Sequence, residues 1–303
     1  MMSNRSKFSL YLVIIFLITG FLSSCFKEDL TDCPRPFQVT IKALDIDLND
    51  ITESGDVKNV ILFMFDENLQ LVDAFELNTN QIKNREPIDI LIDYPGYESL
   101  FFVAWGNVDE LVDHSNVSTV KELLDLFVKL KMKDGYAMPP GDLFRGNLTV
   151  PVEYGTTEAG QSQVVEIKRI TSGVAITSID LKEWNGSQAG TYSYVLHESY
   201  DNLDPNGNPT GNQVSYLPPS SFITNGNFTA PIFYVFPTTQ GKSLVLDILF
   251  NGNVIFTANK DANGNPFNPQ TGRTLNIILD FTAEIDIITA ITPWNVVYQY
   301  VNL

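Results

Sequence analysis

Histidine and cysteine are almost missing from this chain, which holds two of each among 303 residues. His114 and His197 are far apart, and neither has a second histidine at metal-ligand spacing, so neither a histidine metal site nor a neutral-pH base for hydrolysis is expected. Gly-x-Ser-x-Gly elbows and Gly-x-x-x-x-Gly-Lys phosphate loops are missing too, so the sequence presents no catalytic constellation and calls for no cofactor. Cys25 and Cys33 are too few for a disulfide framework or a cysteine metal site. Cationic residues are also scarce: 19 Lys and Arg stand against 36 Asp and Glu, and the net charge of −17 repels nucleic acid and anionic lipid headgroups. No nucleic-acid role is expected.

What is present begins with a three-part export signal over residues 1–24: Arg5 and Lys7, an uninterrupted apolar run from Leu10 to Ile18, and small residues before a cysteine. The run is too short to span a bilayer. Leu22-Ser23-Ser24-Cys25 looks like a bacterial lipobox, in which the signal is cut before the cysteine and the thiol takes a diacylglyceryl group; Cys25 is the expected lipidation residue. Acyl chains contribute on the order of 0.8 kcal/mol per buried methylene, so several chains on one residue make an effectively permanent tether. Loss of Arg5 and Lys7 with the signal takes the charge from −17 to −19. Residues 25–36 are then a lipidated linker. Within it, Lys27-Glu28-Asp29 reads equally as a solvated charged stretch and as the surface-export signal of Bacteroidetes lipoproteins. Cys33 is left as a small buried or linker thiol.

The mature part, roughly 280 residues, suits two domains of ordinary size. Phe37–Ala43 alternates apolar and polar residues as a half-buried strand does, whereas Val60–Phe65 is apolar on both faces and reads as a central strand ended by Asp66-Glu67-Asn68. Ile88–Ile92 and Leu100–Trp105 are further strands. Val120, Leu123, Leu124, Phe127 and Val128 recur at helical spacing behind a Thr119/Glu122 capping box, and Gly135 with Pro139-Pro140 ends the segment, so one helix is expected over 119–131. Beyond Asn147, strands are expected at Val164–Ile167, Val174–Leu181, Tyr192–Leu196, Ile232–Phe236, Leu244–Phe250, Val254–Thr257, Leu275–Phe281 and Ile285–Ile288. Asn-Gly pairs at 185, 206, 225, 251 and 263 mark hairpin turns between several of these. Gly155–Gln163 is the candidate hinge, dividing the chain into 37–160 and 161–303.

Two loops, Asp204-Pro205-Asn206-Gly207-Asn208 and Asp261-Ala262-Asn263-Gly264-Asn265, open like calcium loops but lack the closing glutamate, and Asn-Gly turns explain both without metal. Trp105, Trp184 and Trp294 offer ring-stacking surfaces for sugars and equally the makings of core or edge positions. The run Trp294-Asn295-Val296-Val297-Tyr298-Gln299-Tyr300-Val301-Asn302-Leu303 is strand-forming, with Val297, Val301 and Leu303 on one face and Val296, Tyr298 and Tyr300 on the other. It fits both a strand offered to a partner groove and a last edge strand of its own sheet.

Several strings together resemble the FimB-type fimbrial anchor lipoproteins of Bacteroidales. They are Cys25 followed by Asp32-Cys33-Pro34, the strand Val60 to Asp66, Trp105-Gly106-Asn107, Leu143-Phe144-Arg145-Gly146, Lys168-Arg169 leading into Val174–Leu181, and Ile291-Thr292-Pro293-Trp294. The resemblance implies an all-β chain of two transthyretin-like antiparallel β-sandwich domains, and the one helix expected from the spacing would lie in the first. It implies an outer-membrane, lipid-anchored protein at the base of a fimbria, holding the fimbria and terminating its growth through contacts with a stalk subunit. Stalk subunits of this kind are opened by cleavage after an arginine, for which Arg145 or Arg169 would be the candidate here, whereas anchors are not opened. On this reading the partner-binding residues are Trp294, Val296, Val297, Tyr298, Tyr300, Val301 and Leu303. The alternative is a surface glycan-binding lipoprotein, which clustered exposed tryptophans would favour.

Overall fold

The computed structural model describes residues 33–92, 96–108, 112–113, 120–155, 161–238 and 241–298. The expected signal segment, Cys25, His114, Thr119, the middle of the candidate hinge, and Tyr300, Val301 and Leu303 lie outside the described residues.

The chain is mostly strand. In order come β1 (Phe37–Leu44), β2 (Asn59–Phe65), β3 (Leu71–Asn78), a short helix α1 (Thr79–Lys83), β4 (Ile88–Ile90) and β5 (Ser99–Gly106). Short strands β6 (Val112–Asp113), β7 (Val128–Leu130), β8 (Met132–Lys133) and β9 (Tyr136–Ala137) follow, then β10 (Phe144–Pro151) and β11 (Gln161–Arg169). The second half contains β12 (Ser172–Ile179), α2 (Leu181–Trp184), β13 (Tyr192–Leu203), β14 (Pro209–Tyr216), β15 (Ser221–Phe222) and β16 (Phe228–Val235). It continues with β17 (Val245–Phe250), β18 (Asn253–Ala258), β19 (Arg273–Asp280) and β20 (Asp286–Pro293).

The first sheet runs β3-β2-β5-β10-β11-β1-β4. On β1 the alternation works as the sequence predicts: Phe37, Val39, Ile41 and Ala43 are buried, while Lys42 stays at the surface and pairs with Glu166 at 3.0 Å. β2 is apolar on both faces because both faces are covered. Val60, Leu62 and Met64 enter one core with β1, β5 and α1, and Phe63 and Phe65 enter the other, beside Val103 and Trp105 of β5. Asn78 caps α1, accepting from the N–H groups of Asn80 and Gln81 while the Gln81 side chain reaches back to the Asn78 N–H, and Ile82 anchors the helix in the first core.

A five-stranded sheet, β15-β16-β12-β19-β20, faces a second one running β18-β17-β13-β14-β9-β8, with β7 added on β13 and β6 on β7. Their inner faces supply Val174, Ile176, Leu275 and Ile277 on one side and Tyr194, Leu196, Leu246 and Ile248 on the other. Each such side chain contributes roughly 1.5–3 kcal/mol by leaving water. The Tyr194 hydroxyl donates to the Phe228 carbonyl at 2.8 Å and bonds Ser178 Oγ at 2.7 Å, satisfying a polar group in an otherwise apolar layer.

Among the described residues, strand pairing is antiparallel except at β1/β11, β12/β19 and the single pair between β14 and β9. Sheet membership does not divide at residue 160: β11 belongs to the first sheet, and β6–β9 join β13 and β14. The Asn-Gly pairs at 206, 225 and 251 close the β13/β14, β15/β16 and β17/β18 turns, and Asn251 and Gly252 take φ of 49° and 79°. The pair at 185 instead ends α2, with Gly186 at φ 73°.

The helix expected over 119–131 is not formed. Leu123–Asp125 is a single 3-10 turn and Val128–Leu130 is a strand. Asp125 Oδ2 accepts from the N–H groups of Lys121 and Glu122 and closes the turn, and from there burial falls on Leu126, Val128 and Leu130. That period of two places the segment against Asn202 and Leu203 of β13, so strand pairing overrides the helical spacing upstream.

Candidate partner-binding site

β20 is an outer strand, paired through its whole length with β19 from Arg273 opposite Pro293 to Asp280 opposite Asp286. Its far end is partly covered: the Ala262 N–H donates to the Ile287 carbonyl at 2.9 Å, and Thr289 Oγ1 donates to Asp261 Oδ2 at 2.8 Å. After Pro293 the chain turns instead of continuing as a strand. Asn295 takes the left-handed conformation at φ 58°, which asparagine tolerates, and its N–H donates to Thr274 Oγ1 at 3.1 Å. The Val296 N–H returns to the Pro293 carbonyl at 3.1 Å, and Thr292 Oγ1 donates to the Val296 carbonyl. The run then crosses the outer face of the five-stranded sheet, where the Tyr298 N–H donates to Asn276 Oδ1 at 2.9 Å.

Val296, Val297 and Tyr298 therefore belong to no strand of their own sheet, and they are 45%, 48% and 45% exposed. Beside Val297 and Tyr298 a groove of about 440 Å³ opens between Ala175 and Thr177 of β12, Thr229 of β16 and Ile278 of β19. Trp294, grouped with these residues by the sequence, faces elsewhere. Its ring stacks on Tyr234 with centroids 4.8 Å apart and planes at 10°, and the Arg169 guanidinium lies 5.0 Å from its centroid.

Arg169 is the centre of a buried junction between the first sheet and this turn. It is 6% exposed; its Nε donates to both oxygens of Asp142 at 3.0 and 2.9 Å, and its Nη2 donates to Asp56 Oδ2 at 2.7 Å. The Phe144 ring lies 4.9 Å from the same guanidinium. Burial pushes Asp142 up to about 6 against the opposing pull of Arg169, while Asp56 adds to the rise. The Trp294 indole N–H is buried without a hydrogen bond of good geometry and lies near enough to Asp142 to ease its charge weakly. Asn107, at φ 60°, ties the surrounding loops: its Oδ1 accepts from the Lys58 N–H at 2.6 Å and its Nδ2 donates to the carbonyls of Asp56 and Asp142 at 2.9 and 2.8 Å. Gly106 lets β10 approach closely: a Cβ there would stand 3.1 Å from that of Phe144, which would have to give by a few tenths of an ångström. The scattered strings Trp105-Gly106-Asn107, Leu143–Gly146, Lys168-Arg169 and Pro293-Trp294 thus meet at one place.

Neither candidate cleavage residue is offered to a protease in an exposed loop. Arg169 is bound as described, and Arg145 is half-buried in β10, its Nε and Nη2 without hydrogen-bond partners among the described residues and its charge faced by Asp204. Of the tryptophans, Trp105 is core, and Trp184, 39% exposed, packs on Phe281 and Phe256. His197 is less isolated than its sequence context suggests: Nδ1 is 2.7 Å from Ser215 Oγ and Nε2 is 3.0 Å from Asp247 Oδ2, a ladder across β14, β13 and β17. Cys33 is a free, half-buried thiol. The Asp204 and Asp261 carboxylates are spent on their own loops, each accepting from two backbone N–H groups and the Asn four residues on. At Asp261 burial acts upward, but these bonds and the one from Thr289 Oγ1 outweigh it and hold the carboxyl below its usual range.

Comparison with known proteins agrees with this architecture. The chain is 40% identical to the major fimbrium anchoring subunit FimB of Porphyromonas gingivalis strain W83, over 98% of this chain and 99% of the relative. It is 39% identical, over the same shares, to the protein of that name from strain ATCC 33277. Among solved structures, the fimbrial anchor protein Mfa2 from Porphyromonas gingivalis superposes with a TM-score of 0.58 at 16% identity, covering 86% of this chain and 98% of that one. These relatives are named as anchoring proteins and none as an enzyme. Residues 30–300 match the model for the fimbrillin-A associated anchor proteins Mfa1 and Mfa2, and the chain belongs to that family.

Proposed function

We propose that this protein is a fimbrial anchor: an outer-membrane lipoprotein, tethered through Cys25, that holds a fimbria at its base and ends its assembly by offering the 294–303 run to the adjacent stalk subunit. The relatives named as anchoring subunits support the role. The observation that carries the mode of contact is that Val296, Val297 and Tyr298 are apolar, half-exposed and outside every strand of their own sheet. An apolar segment that its own sheet does not take up is a hazard unless a partner covers it, and an extended partner groove does so with main-chain hydrogen bonds and alternating side-chain pockets. Val296, Val297, Tyr298, Tyr300, Val301 and Leu303 would supply those contacts. Trp294 would act from within the fold. A glycan-binding role is not supported by the tryptophans, since Trp105 is buried and the rings of Trp184 and Trp294 are occupied by protein neighbours.

Deletion of residues 296–303 tests this reading. The truncated protein should remain in the outer-membrane fraction while fimbriae are shed into the medium. Normal retention of fimbriae by a folded, membrane-bound deletion protein would show that the run is not the contact.

A further inference from the structure

Trp294, the first residue of the run, packs against a residue that belongs to a different sheet. Arg169 closes β11, far in sequence from Trp294, yet its guanidinium packs on the indole while Asp142 and Asp56 hold its nitrogens. From the five-stranded sheet, Tyr234 stacks on the same indole and its hydroxyl donates to Asn295 Oδ1 at 2.9 Å. Thr274 holds the Asn295 N–H and Asn276 holds the Tyr298 N–H. The hydrogen bonds from β19 fix the backbone, and the Arg169 contact fixes the indole relative to the first half.

We propose that Arg169 is a positioning residue of the C-terminal run: fixed at the end of β11 by Asp142 and Asp56 from neighbouring loops, its guanidinium grips Trp294 and, together with the hydrogen bonds from β19, holds Val296–Tyr298 in place on the five-stranded sheet. A planar cation that is fixed by two carboxylates and lies over an indole suits this role, because arginine combines forked hydrogen bonding with ring stacking and lysine does not. The functional half of the proposal rests on the reading of the run as the stalk contact; the structural half does not.

The test is hydrogen exchange on the full mature lipoprotein in detergent, read at residues 294–298 and at β12 and β19, together with fimbrial retention on cells. Arg169→Lys, which keeps the charge and loses the fork and the plane, should speed exchange at 294–298 at least tenfold while β12 exchanges as before, and should release fimbriae. Trp294→Ala leaves the Arg169 ion pairs in place and should give the same local pattern; Trp294→Phe, which restores a ring, should recover most of it. These two variants decide the matter should Arg169→Lys not fold. Unchanged exchange at 294–298 in the tryptophan variant overturns the proposal regardless of what the run binds. Faster exchange with fimbriae retained upholds the structural half and overturns the functional half, and deletion of 296–303 on the same cells separates that result from failure of the anchoring reading.

Discussion

Gly146 is the position at which one added carbon should do most damage. A Cβ there would stand 2.0 Å from the Glu166 carbonyl oxygen and 2.8 Å from its carbonyl carbon, where ordinary contact begins near 3.4 Å. β10 and β11 would have to part by more than an ångström, and β11 is not free to yield, because its other side is paired with β1 from Phe37 to Leu44. Overpacking relieved by side-chain movement costs about 1–3 kcal/mol; here backbone must move, so Gly146→Ala should cost about 3 kcal/mol or more. The same displacement reaches the Arg169 cluster, since Phe144 is paired with Arg169 across β10 and β11. Gly135→Ala is the control: its φ is +84° and nothing lies within 4 Å, so only the left-handed backbone is penalised, by about 1 kcal/mol. Equilibrium denaturant unfolding followed by tryptophan fluorescence compares the two. A Gly146→Ala loss no larger than that of Gly135→Ala would refute the claim that the approach of β10 to β11 is rigid.

Cys25→Ala should abolish fatty-acid labelling and move the protein out of the membrane fraction, because on the proposed reading one thiol would carry the whole tether; a mutant that still labels would disprove the assignment. Asp142 gives a pH dependence of defined sign. Its carboxyl is raised by burial from 3.8 to about 6, so its stabilising share is complete below the lower value and is lost as pH rises through the upper one. Asp142→Asn lacks this titration, so the stability of the natural protein relative to the variant should fall between roughly pH 4 and pH 7, and a pH-independent difference by calorimetry would contradict the burial argument.

Much of the fold was legible because burial prints a period on the sequence. β1 alternates because one face is wet, and β2 does not because both faces are covered, by cores that the sequence could not name. The segment after Val120 misled because Leu123, Leu124, Phe127 and Val128 match a helix locally, whereas Leu126, Val128 and Leu130 match the strand that β13 demands, and only the partner decides. The Arg169 junction carried no local signal, since Asp142 and Asp56 lie 27 and 113 residues away in sequence. Its glycines and Asn107 stood in the motifs that carried the family resemblance, but the steric reason for them appears only when β5, β10 and β11 lie side by side.

The parallel registers determine how the molecule takes a pull. Tension applied between residues 33 and 298 enters β1 at Phe37 and leaves β11 at Arg169, and in that pair Phe37 lies opposite Gln161 and Leu44 opposite Lys168. The two strands are therefore dragged past each other lengthwise, and their ladder resists in shear, every bond at once, instead of unzipping from one end. β12 begins just beyond. Gly173 is paired with Thr274, Thr274 with Thr292, and Arg273 with Pro293, so force reaches and departs the five-stranded sheet at the same end, beside the stacked Arg169 and Trp294. Tension crosses that end within a few strand widths, and the remainder of the second half hangs beside the line of force, spared the strain of holding whatever is pulled.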